Sequence, residues 1–193
     1  MCKIFISGSR QIKVLHKSVI ERIDWIIDKQ YSIIVGDADG VDSSIQSYLH
    51  SKKMEDVIVY CTGSKPRNNI GKWPVKNVET SSQPGTRDYF TAKDLVMAAD
   101  CNYGFMIWNA MSPGTLSNVI ELLSYGKYSR IFVNKEKEFY PIKNIFDFET
   151  LTKVMSEKAI EKAETKINLT KKIKDIKYKK LEMKQQDLFE GTK

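Results

Sequence analysis

The sequence predicts an α/β protein: a Rossmann-like, mostly parallel sheet with helices on both faces, followed by a basic helical C-terminal extension. Three observations carry this. Short β-branched runs alternate with segments whose apolar residues recur every three or four positions, the alternation that crossover connections in a parallel sheet require. Three glycine-bearing turns each follow such a run and precede a helix-like pattern: Ser7-Gly8-Ser9-Arg10, Gly36-Asp37-Ala38-Asp39-Gly40-Val41-Asp42 and Ser112-Pro113-Gly114-Thr115. A hydrophobic content of 41% over 193 residues is enough to bury the core of one ordinary domain with an appendage.

Residues 4–6, closed by Ser-Gly-Ser, read as the first strand. Val14, Val19, Ile20, Ile23, Ile26 and Ile27 then keep a helical spacing with one buried face. Residues 32–35 form the second strand, 41–50 a helix and 57–61 a third strand dense in β-branched residues. Residues 62–85 carry Gly63, Pro66, Gly71, Pro74, Pro84 and Gly85 among several cations, so they read as a long loop without a regular element, either a binding lid or a surface excursion. Thr86 caps a helix through Ala99, residues 103–108 make the fourth strand, 116–125 a helix stopped by Gly126, and 130–133 the fifth strand. From about residue 150 the chain turns to Lys, Glu, Ile and Leu with no Gly or Pro until Gly191, which fits long helices. Leu169, Ile173, Ile176 and Met183 trace a heptad broken by Lys180, better suited to packing on the chain's own domain than to a dimerisation rod. The expected division is 1–149 Rossmann-like domain, 150–184 basic helical extension and 185–193 flexible tail.

The net charge of +7 is concentrated late: residues 151–193 hold 12 lysines against 7 acidic residues, so attraction to polyanions belongs to the tail. Cys2, Cys61 and Cys101 show neither zinc nor dithiol spacing and read as reduced core residues. His16 and His50 stand alone, so no metal and no cofactor are expected. No apolar run is long enough to span a bilayer and the start leads straight into a strand, which points to the cytoplasm and to no membrane partner.

Where a parallel strand ends and a helix begins, unpaired amides and the positive helix end favour phosphate. Arg10 and Arg87 suit a phosphate or a surface ion pair equally. Asp37 and Asp42 either hold ribose hydroxyls or shape the turn and cap its helix. Trp108 is a stacking platform or core, and Tyr103 reads as core.

Phe5-Ile6-Ser7-Gly8-Ser9-Arg10, Ile34-Val35-Gly36-Asp37-Ala38-Asp39-Gly40-Val41-Asp42, Arg87-Asp88 ahead of Ala98-Ala99-Asp100, and Trp108 with Gly114-Thr115 and Asn118 together resemble the SLOG superfamily. The similar branch is that of the YspA/YpsA-related proteins, with the Lonely Guy phosphoribohydrolases and the DNA-processing protein DprA as relatives. The resemblance covers about residues 1–135. It implies a pocket for a nucleotide or nucleotide derivative at Gly8, Ser9, Arg10, Gly36, Asp37, Gly40, Arg87, Gly114 and Thr115. Asn118, however, stands where the phosphoribohydrolase members carry a catalytic glutamate, and an amide neither holds negative charge nor exchanges a proton. Asp37, Asp42, Asp88 or Glu79 would have to substitute in an N-glycosidase or deoxyribosyltransferase, while Glu121 reads as a helix-surface charge. Binding without hydrolysis, as sensor or adaptor, is the leading expectation; nucleotide cleavage and DprA-like single-stranded DNA binding are the alternatives.

Gln185-Gln186-Asp187-Leu188-Phe189 resembles the bacterial sliding-clamp-binding pentapeptide, with Gln185 setting register and Leu188 and Phe189 as apolar anchors. The same apolar pair also suits packing back on the domain. The lysines of 171–184 would add a salt-dependent, sequence-independent attraction to nucleic acid. Oligomeric state stays open, a homo-oligomer included.

Overall fold

The computed structural model describes residues 2–178, so Gln185, Leu188 and Phe189 lie outside the described residues. Along the chain come β1 (Lys3–Gly8), α1 (Lys17–Asp28), β2 (Ser32–Gly36), α2 (Val41–Ser51), β3 (Val57–Thr62), β4 (Val75–Val78), α3 (Arg87–Asp100), β5 (Tyr103–Trp108), α4 (Pro113–Ser124), β6 (Ser129–Val133), β7 (Glu138–Ile142), α5 (Ile145–Thr152) and α6 (Glu157–Ile167). A further helical run covers 169–178. The strands form one sheet in the order β4-β3-β2-β1-β5-β6-β7, every pair parallel except β6 with β7. This is the Rossmann-like α/β architecture, with helices on both faces.

Strand alternation sorts the core into two layers. Ile4, Ile6, Val35, Val59, Phe105, Ile107 and Phe132 face α1 and α2. Phe5, Ile34, Tyr60, Met106, Trp108 and Ile131 face the side of α3, α4, α5 and α6. The apolar stripe Ala159, Ala163 and Ile167 of α6 is buried in that second layer, and Leu169 with the partly buried Ile173 and Ile176 continues it. Lys172 pairs with Glu121 of α4 at 3.2 Å and Lys177 with Glu149 of α5 at 2.8 Å. Half-exposed pairs of that kind contribute at most about 1 kcal/mol each, so the buried stripe is what seats these helices.

The structure departs from the sequence reading in several places. Residues 62–85 do contain a regular element: β4 pairs with β3 from Val59↔Val75 to Thr62↔Val78. It is short, mostly exposed, and carries Lys76 behind Pro74, the composition that protects a sheet edge and hides a strand from pattern reading. The opposite edge strand, β7, holds Pro141 and was not expected either. Val14 is 81% exposed and precedes α1, which starts at Lys17 with His16 as its N-cap. Residues 113–115 form the first turn of α4 instead of a loop before it.

Of the two aromatics on β5, Tyr103 reverses its expected core placement and Trp108 takes the core alternative. Tyr103 is 48% exposed at the amino end of the strand, outside the core. Trp108 is fully buried and donates its indole N–H to Ser112 O at 3.1 Å, so it offers no face to a base. Replacing Trp108 with Ala should cost about 3–5 kcal/mol of unfolding free energy in urea titrations followed by circular dichroism, with Phe costing clearly less.

Candidate functional site

Strand order fixes where a ligand can enter. From β1 the chain winds outward through β2, β3 and β4, then returns beside β1 as β5 and winds the other way. Loops leaving the carboxyl ends of β1 and β5 therefore diverge around a crevice at this switch point. Gly8 pairs with Ile107, and a Cβ at Gly8 would strike the Ile107 carbonyl, so only glycine lets the two strand ends close.

The turns that follow are tied to one another. Ser9 N donates to Ile107 O at 2.9 Å, Ser9 Oγ donates to Asn109 Oδ1 at 3.0 Å, and Thr115 Oγ1 lies 3.4 Å from Ser9 Oγ. From the β2 side, Val41 N donates to Ser9 O at 3.4 Å, and Gly40, at φ +83, sits against the Arg10 backbone where a Cβ has no room. Ser7 Oγ donates to Asp42 Oδ1 at 3.1 Å. Gly8, Ser9, Arg10, Gly36, Asp37, Gly40, Asp42, Gly114 and Thr115 thus meet at one edge. Arg87 opens α3 at the same edge but beside β3, since Tyr89 OH donates to Thr62 O at 3.2 Å. Two strand spacings, about 10 Å, separate β3 from β1. Asn118 lies one turn below Thr115, 5% exposed, and its side chain makes no hydrogen bond among the described residues.

The helix starts differ in a way that matters. His16, Thr86, Asn144 and Ser156 each cap their helices by accepting a backbone N–H on the side chain. The N-caps of α2 and α4, Gly40 and Ser112, make no such bond. Among the described residues, the amides of Asp42 and Ser43 in α2, of Gly114 and Thr115 in α4, and of Arg10 and Gln11 after β1 have no acceptor. Orphan amides at the positive end of a helix attract an anion. Arg10 follows β1 at this edge, its side chain 71% exposed and its Nη2 4.0 Å from Asp39 Oδ2.

Beneath this edge lies a buried ion cluster that sequence reasoning missed. Lys93 of α3 is 3% exposed and bonds Asp94 Oδ1 at 2.6 Å; its ammonium and the Asp42 carboxylate both crowd the Gly36 backbone. Arg67 grips Asp37 from its backbone N and Nε at 3.0 Å each and from Nη2 at 2.6 Å. Burial raises the Asp42 carboxyl to about 6 against the opposing pull of Lys93. Burial would also raise Asp37, but the Arg67 hydrogen bonds outweigh it and hold that carboxyl below its ordinary range. Burial would lower Lys93, yet Asp94 and Asp42 keep it above the usual lysine value. The signal available in sequence was a lysine on the buried stripe of α3, four residues before Met97.

Of the carboxylates proposed for catalysis, Asp37 and Asp42 are therefore engaged internally, and Asp42 ties β1 to the β2 turn through Ser7 Oγ and Ala38 N instead of capping α2. Asp88 is exposed on the first turn of α3, and Glu79 is exposed just after β4. Glu121 pairs with Lys172. No cluster of three metal-ligating side chains occurs among the described residues, and no helix among them is long and apolar enough to cross a membrane.

Among solved structures, the chain is similar to DNA processing protein A from Helicobacter pylori, a protein that binds single-stranded DNA. The match has a TM-score of 0.51 and covers 79% of each chain at 18% identity. The fold is DprA-like. No protein-family model matches the sequence, and no curated protein matches it.

Proposed function

We propose that the carboxyl edge of the sheet binds nucleotide units through their phosphates, and that the ligand is single-stranded nucleic acid. The observation that carries this is the pair of uncapped helix starts, α2 and α4, flanking Ser9 and Arg10. Both starts touch Ser9, Val41 N at Ser9 O and Thr115 Oγ1 at Ser9 Oγ, but α2 and α4 approach it from opposite faces of the sheet. Starts on opposite faces offer separate anion positions, which successive phosphates of a strand can fill. The DprA-like fold supports the same reading. Asn118 in place of a carboxylate, with Asp37 paired to Arg67 and the buried Asp42 bonded to Ser7 Oγ and Ala38 N, argues against N-glycosidic cleavage.

Fluorescence anisotropy of a labelled oligodeoxythymidylate tests this with the full chain. Affinity should fall steeply with salt, and Arg10→Ala should weaken it several-fold and reduce the salt slope by about 1. A nucleoside monophosphate supplied at equal nucleotide concentration should compete poorly. Equal competition would instead favour a free nucleotide at one helix start, and salt-insensitive or absent oligonucleotide binding would sink the reading.

A further inference from the structure

At the opposite edge of the sheet, on the α1 face, a cleft of about 410 Å³ opens between the carboxyl half of α1 and the amino ends of β5 and β6. That volume lies within the about 300–1,000 Å³ of small-molecule sites. It is lined by Arg22, Trp25, Tyr103, Tyr128, Arg130 and Lys143 among others. Two features set it apart. Three large aromatic side chains are turned to solvent together, with Trp25 42%, Tyr103 48% and Tyr128 52% exposed. Three cations share the cleft, and among the described residues the side chains of Arg22, Arg130 and Lys143 make no hydrogen bond and no ion pair.

Half-buried guanidinium groups ordinarily find a carboxylate or a carbonyl, because each presents five donors in a fixed fork. Here Arg22 lies over the Trp25 ring at 5.0 Å and Arg130 over Phe139 at 5.7 Å, contacts that leave their N–H edges unanswered. Burial, and then the charge of Arg130, lower the affinity of Arg22 for its proton, the cost of holding like charges close. Such a cost is relieved by an anion.

We propose that this amino-edge cleft is a second nucleotide-binding site, in which a base stacks on the Trp25, Tyr103 and Tyr128 rim while its phosphate is taken by Arg22 and Arg130. Aromatic faces beside unpaired arginines are the two components of sequence-tolerant nucleotide recognition, stacking contributing about 1–3 kcal/mol per base. The site is independent of the carboxyl edge. Strands of five or six residues at about 3.3 Å each hold the two apart.

Tryptophan emission reads the site directly. Of the three tryptophans, Trp73 and Trp108 are buried, at 7% and 0% exposure, so Trp25 is the one a solvent-borne base can quench. The full chain is titrated with deoxyadenosine monophosphate, with a deoxyadenylate oligonucleotide, with deoxyadenosine and with inorganic phosphate, corrected for absorbance. The nucleotide and the oligonucleotide should quench saturably, and the nucleoside should bind at least 10-fold more weakly. Phosphate should cause no quench but compete with the nucleotide. Trp25→Phe should abolish the signal. Arg130→Gln should weaken binding about 10-fold while thermal stability stays equal or rises, because a like-charge contact is relieved. No saturable quench, a quench that survives Trp25→Phe, nucleoside binding as tight as nucleotide, or an unchanged affinity in Arg130→Gln would each overturn the assignment. Arg10→Ala should leave mononucleotide quenching intact, so failure of the carboxyl-edge reading and failure of this one are told apart.

Discussion

Lys93→Met should destabilise the protein by about 3–5 kcal/mol at neutral pH, because it removes the buried cation and leaves Asp42 and Asp94 without its compensating charge. Methionine fills the lysine volume, so the loss is electrostatic and not a cavity effect. In a chain of this size that corresponds to a fall in Tm of roughly 10 °C. The partners are identified: Asp94 at 2.6 Å, with Asp42 and Asp37 acting through charge. A Lys93→Met/Asp42→Asn double variant should recover part of the deficit, since one uncompensated carboxylate is gone, and the two substitutions should be clearly non-additive.

The same cluster sets a pH dependence whose sign can be worked out. Asp42 has a folded-state pKa of about 6, above the ordinary 3.8, so between those values the native state holds a proton that the unfolded chain releases. Its contribution is present at low pH and is lost as pH rises through about 6. Asp37 runs the other way: its lowered carboxyl contributes above the ordinary carboxylate range and loses that contribution as pH falls through its folded value. Without Lys93 the Asp42 carboxyl rises further, so the deficit of Lys93→Met should be smaller at pH 5 than at pH 8. Urea titrations at the two pH values check this. Equal deficits, or a loss under about 1 kcal/mol at pH 8, would show that the ammonium does not compensate Asp42.

How much of this was legible in the sequence follows from which interactions are local. The five inner strands repeat a local rule, apolar runs closed by a turn, and the helices between them repeat another, so the parallel order emerges without tertiary information. Edge strands obey a different requirement: β4 and β7 need only one partner and must discourage others, so Lys76, Pro74 and Pro141 sit where a strand pattern expects apolar residues. The glycine turns were readable because Gly8 and Gly40 answer steric demands visible as glycine alone. Lys93 and Arg67 were not, because Asp42 and Asp37 lie 51 and 30 residues before them and only the folded sheet brings them together. Trp108 and Tyr103 show the limit of residue type: the two ends of one strand give one ring to the core and the other to solvent.

Gly114→Asp should move stability and binding in opposite directions. Gly114 is in the first turn of α4, and a Cβ built there meets nothing nearer than Ser112 Oγ at 3.9 Å, so the substitution fits without displacement. Aspartate is a better helix residue than glycine, and its carboxylate lies beside amides that lack an acceptor, so unfolding free energy should rise by about 0.5–1 kcal/mol. The same carboxylate occupies the position proposed for a phosphate. Oligonucleotide affinity should fall at least 10-fold, and the loss should shrink as salt screens the added charge. Gly114→Asn, matched in size but uncharged, should lose much less. A destabilised Asp variant would mean that the α4 amides are already satisfied, and unchanged oligonucleotide affinity would remove α4 from the interface. A chain that leaves the α2 and α4 starts without a side-chain cap while capping α1, α3, α5 and α6 forgoes stability there that an anion would restore.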